Sequence, residues 1–113
     1  MRKCDLHVVN GAFYLMFAKT RRTAIELARQ VAIDFPPTLQ GLSGRKAVDM
    51  FQRTAGQLRQ RAEAIQKVEN MGLIRRIVFA RTLQQEFVSI GYDGALVKRL
   101  MSEALTALAF SNR

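Results

Sequence analysis

A chain of 113 residues, 49% of them hydrophobic and spread along its length, has the material for one folded core and argues against disorder or several domains. Eighteen Lys and Arg against nine Asp and Glu give a formal charge of +9, which favours polyanionic partners. The apolar runs are too short and too often interrupted by charge to cross a bilayer, so no membrane role is expected.

Met1-Arg2-Lys3 followed by a partly apolar stretch imitates a signal peptide, but Asp5, His7 and Asn10 interrupt it and no small-residue cleavage site follows. A soluble cytoplasmic protein is therefore expected. The single cysteine, Cys4, can form no disulfide within the chain, which suits a reducing compartment.

The first segment reads as a β-hairpin over residues 1–19. Asn10-Gly11 is a two-residue turn signal, because both central positions of a type I′ turn need positive φ. Pairing outward from it sets Val8 against Phe13, Leu6 against Leu15 and Cys4 against Phe17, all on one apolar face. Residues 12–19 also tolerate the first turns of a helix; the consistent register favours the hairpin.

Thr23 and Glu26 form a T-x-x-E capping box, which predicts a helix over 23–35 with Ile25, Leu27, Ala28, Val31, Ala32 and Phe35 as its apolar stripe. Pro36-Pro37 stops it, and 36–44 is a loop. A long helix over 45–71 follows. In it Val48, Phe51, Ala55, Leu58, Ala62 and Ile65 alternate spacings of three and four as in a heptad seam. A helix over 73–90 is apolar nearly all round, which places it centrally or at a subunit interface. Gly91 breaks it and Asp93 caps a last helix over 94–110. The fold class expected is mainly α: a single domain, residues 1–113, with about four helices and an N-terminal β-hairpin packed on them. The surplus of apolar surface predicts a homodimer.

Catalysis finds little support. On a strand His7, the one histidine, points away from Cys4, so no Cys–His pair forms there. No cluster of His, Cys or carboxylate has metal-ligand spacing, so no metal or cofactor is expected. Glu26 and Asp93 are assigned to helix starts, and Asp49–Arg53 and Glu63–Lys67 to i,i+4 pairs. The remaining carboxylates are scattered. The chain reads as a non-enzyme.

Gly41-Leu42-Ser43-Gly44 before Arg45-Lys46 lacks P-loop spacing. It matches the bare GxxG of KH domains, but the strands such a domain requires do not follow. A helix start bearing two cations still suits an anion. A helix-turn-helix is excluded by the nine-residue, double-proline connection.

The strongest constellation is the polar side of the long helix. At about 100° per residue, Arg45, Lys46, Arg53, Arg59 and Lys67 fall in one arc opposite the apolar seam. Arg21-Arg22 and Arg75-Arg76 form two further clusters. A charged helix face is often only a solvated surface, but residues 45–81 hold nine cations against three anions, +6 of the chain's +9. Arg21, Arg22, Arg45, Lys46, Arg53, Arg59, Lys67, Arg75 and Arg76 are the expected nucleic-acid contacts, acting on phosphate with low sequence specificity. The alternative is a helical adaptor or inhibitor docking on an acidic protein surface, with Phe79, Phe87 and the heptad seam as its interface.

Overall fold

The computed structural model describes residues 17–42 and 44–110. These form helices α1 (Ala18–Asp34), α2 (Arg45–Glu69), α3 (Leu73–Ile90) and α4 (Gly94–Phe110), with a 3-10 turn at Pro37–Leu39, and no strand occurs among the described residues. The expected fold class is thereby corrected: the described residues form a four-helix bundle, and no hairpin is seen among them. Ala18 and Lys19, assigned to the hairpin's end, form the first turn of α1, where the Arg21 amide donates to the Phe17 carbonyl oxygen at 2.9 Å. Residues 1–16, with the rest of that expected hairpin and its Asn10-Gly11 turn, lie outside the described residues.

The early start of α1 has a physical reason. Its buried stripe is Phe17, Thr20, Ala24, Leu27, Ala28 and Val31, so helical spacing is already established before the capping box. Thr23 consequently sits inside the helix and caps nothing. Its hydroxyl donates instead to the Lys19 carbonyl oxygen at 2.9 Å, the i−4 bond available to a threonine in mid-helix. At the other end the Phe35 amide donates to the Val31 carbonyl oxygen at 2.8 Å, and Pro36, lacking an amide, cannot extend the ladder.

Helix α2 ends at Glu69, two residues short of the expected boundary, because Asn70 takes the left-handed conformation at φ 47°. Gly91, at φ 116°, ends α3 in a conformation that strains any residue with a Cβ. The Asp93 carboxylate then accepts the Leu96 amide at 2.9 Å, satisfying an otherwise orphaned donor at the start of α4.

Helix α1 packs chiefly along α3 and α2 along α4; contacts between α3 and α4 and between α1 and α2 complete the bundle. Thr20 meets Arg75 at one end, and Phe35 meets Tyr92 at the other, so α1 and α3 run parallel. Ala24 and Ala28 are fully buried, and their small side chains let α1 approach closely. Leu58, Phe79, Leu83 and Phe87 fill the centre, with edge-on ring pairs between Phe35 and Phe51 and between Phe87 and Tyr92.

Two expectations about surfaces are corrected here. Phe79 and Phe87 are 0% exposed within a single chain, so they belong to the core and offer nothing to a partner. Val48, placed in the heptad seam, is 51% exposed, and α2 buries no residue before Phe51. Among the described residues no helix is long and apolar enough to cross a membrane.

Candidate nucleic-acid interface

The core-facing stripe of α2 consists of Phe51, Thr54, Ala55, Leu58, Ala62 and Gln66. Helical geometry turns the intervening polar positions outward, and Arg45, Lys46, Arg53, Arg59 and Lys67 are all exposed there, with Gln52 and Gln60 among them. From position 45 to 67 the row extends about 33 Å at 1.5 Å per residue.

The ion pairs differ from those that spacing suggests. Asp49 with Arg53 and Glu63 with Lys67 do not pair. Glu63 instead meets Arg59 at 3.6 Å, one turn earlier and between two well-exposed side chains. Arg45, Lys46, Arg53 and Lys67 make no ion pair with any described residue. Four of the five cations in the row thus have no ion-pair partner among the described residues.

The other two clusters are placed differently. Arg75 donates to Glu69 at 3.4 Å and to the Thr20 hydroxyl at 3.3 Å, while Lys19 reaches the same Glu69 at 3.2 Å. Arg75 therefore ties the ends of α1, α2 and α3 together. The hydrogen bond from Lys19, with the charges of Lys19 and Arg75, holds the Glu69 carboxyl below its ordinary range against a smaller opposing effect of desolvation. Arg76 donates to the Leu108 carbonyl oxygen at 3.4 Å, near the C-terminal end of α4, where cations complement the helix dipole. Arg21 and Arg22 lie on α1 and border a shallow depression with Ile25, Glu26 and Arg29, away from the α2 row in the chain. The structure thus gathers five of the nine expected residues on one face and gives two of them, Arg75 and Arg76, to the joints of the bundle.

One cation escaped the sequence reading. Arg99 of α4 stacks over Phe51, its guanidinium carbon 5.0 Å from the ring centroid, and brings a further positive charge beside α2. Only the pairing of α2 with α4 reveals it. Arg61, at the edge of the arc, is engaged with Asp34 at 3.0 Å and fastens α2 to the end of α1.

His7 and Cys4 lie outside the described residues, and among the described residues no group of three or more His, Cys, Asp or Glu could hold a metal ion. Comparisons with protein-family models, curated proteins and solved structures find no match.

Proposed function

We propose that this protein is a nucleic-acid-binding accessory or regulatory protein that contacts phosphates through the outer face of α2. The observation that carries this reading is the row Arg45, Lys46, Arg53, Arg59 and Lys67, exposed on one helix face and, but for Arg59, without an ion pair to any described residue. Its length of about 33 Å is close to one turn of duplex, ~34 Å, so several phosphates fall within reach of one helix. Arginine forks grip two phosphate oxygens, and Gln52 and Gln60 add neutral donors between them. Contact through phosphate makes affinity depend on backbone charge, so it is expected to vary little with sequence and to fall steeply with salt.

The test is a titration of labelled duplex DNA and of single-stranded RNA with the full chain across a series of salt concentrations. Binding that weakens linearly in log affinity against log salt, with a slope of several counterions, supports the reading. Absence of binding to either polymer at low salt rejects it.

A further inference from the structure

Helix α3 buries Phe79, Thr82, Leu83 and Phe87 on one side, yet Leu73, Ile74, Ile77 and Val88 remain exposed on the others. Leu73, Ile77 and Val88 line an open groove of about 1040 Å³ between α3 and α4, with Met101 and Leu105 of α4 opposite. Leu73 is 66% exposed, Ile77 54% and Leu105 49%, and they meet in one groove rather than lying scattered. The borders carry Arg76, Arg81 and Lys98, and no carboxylate lines the groove among the described residues.

We propose that this groove docks an amphipathic helix of another protein whose apolar stripe is flanked by Asp or Glu. The dimensions fit. From Leu73 to Val88 the floor runs about 22 Å, room for roughly four turns of a docked helix with anchors at i, i+3, i+4 and i+7. The charges choose among occupants. A second copy of this chain would face Arg76, Arg81 and Lys98 with the same three cations, and each copy carries +9, so like charges oppose the contact. A polyanion would match the borders but leave Ile77 and Leu105 against water. An acidic amphipathic helix satisfies both at once. Arg76 is already fixed at the groove's end by its bond to the Leu108 carbonyl oxygen, which lowers the entropy lost in engaging a partner carboxylate. The site is separate from the α2 row and stands or falls independently of it.

The probe is a fluorescent synthetic helix of about 18 residues, ~27 Å long, with Leu at the anchor spacing and Glu on both flanks. The same peptide with Lys on the flanks serves as control, and binding is followed by anisotropy with the full chain. The Glu peptide is expected to bind at least about tenfold tighter than the Lys peptide, since rim charge selects the partner. Ile77→Asp with Leu105→Asp should abolish binding of either. Arg81→Glu with Lys98→Glu changes only exposed side chains, so folding is preserved, and it should reverse the preference between the peptides. The proposal is overturned if neither peptide binds or if the two bind the parent alike. It is equally overturned if the charge-reversed variant keeps the parent's preference. Sedimentation that shows a parent dimer dissolved by Ile77→Asp would also overturn it, and would assign the groove to a second copy.

Discussion

The Tyr92 hydroxyl donates to the Phe35 carbonyl oxygen, joining the turn between α3 and α4 to the end of α1. The same junction is reinforced by Gln40, which donates to the Gly91 carbonyl oxygen at 3.0 Å and accepts the Asp93 amide at 2.8 Å. Burial, with a smaller contribution from the charge of Asp34, pushes the Tyr92 hydroxyl up to about 12. Tyr92→Phe removes this donor and leaves a carbonyl without its partner, so a loss of about 1–3 kcal/mol at neutral pH is expected. The difference should also depend on pH. A phenol in the unfolded chain ionises near pH ~10, below its folded value, so its contribution is complete below that pH and disappears as pH rises towards 12. Urea denaturation of parent and variant should therefore give curves whose separation narrows above about pH 10. A constant separation would contradict the assignment.

At the opposite end, Glu69 is held between Lys19 and Arg75, and the sign of its pH dependence is reversed. Its folded carboxyl lies below the ordinary value of 4.5, so its contribution is present above that pH and is lost as pH falls through the folded value. Glu69→Gln should lower the melting temperature at neutral pH. The two melting temperatures should converge as the pH is taken below 4.5. Arg75→Ala should resemble Glu69→Gln at neutral pH, because both changes break the same junction.

Apolar spacing made the helices legible. Phe51, Ala55, Leu58 and Ala62 could face one core only from a helix, and Pro36, Gly91 and Asp93 act through local backbone chemistry that a sequence displays. The start of α1 was not legible, because Thr23 and Glu26 satisfy a capping pattern that the buried Phe17 and Thr20 override through tertiary contact. For the site, the outward direction of Arg53 and Arg59 follows from the helical period alone. The engagement of Arg75 with Thr20 and Glu69 does not, since it depends on which helix ends meet. Helix α3 was legible in part: Phe79, Leu83 and Phe87 do occupy the centre, but Leu73, Ile77 and Val88 border an open groove, and periodicity cannot divide the two sets.

The heptad seam offers a contrast in stability. Leu58 is 0% exposed at the centre of the bundle, and Leu58→Ala should cost about 2–5 kcal/mol through lost burial and a cavity. Val48 occupies the same pattern but is 51% exposed, so Val48→Ala should change stability by no more than about 0.5 kcal/mol. Chemical denaturation of the two variants measures both. A large loss at Val48 would show that the first turns of α2 are covered in solution.

The functional reading makes its sharpest prediction at Arg53 and Arg59. Both are exposed on the outer face of α2, about 9 Å apart along the axis, and neither packs in the core. Arg59 pairs with Glu63 in an exposed i,i+4 contact, of a kind that contributes little to folding. Arg53→Ala with Arg59→Ala should therefore leave the urea midpoint almost unchanged. If these side chains contact phosphate, affinity for any DNA or RNA sequence should fall together. The slope of log affinity against log salt should become shallower by about one to two, because each lost contact releases roughly one fewer counterion. Arg75→Ala supplies the contrast: as a joint between helices it should lower stability and leave the salt slope of the folded protein near the parent value. A double variant that binds as tightly as the parent, with the same slope, would remove the α2 face from nucleic-acid binding. The charge of α2 would then act in solubility or in long-range attraction of an acidic protein, and the α3–α4 groove would be the remaining candidate for specific contact.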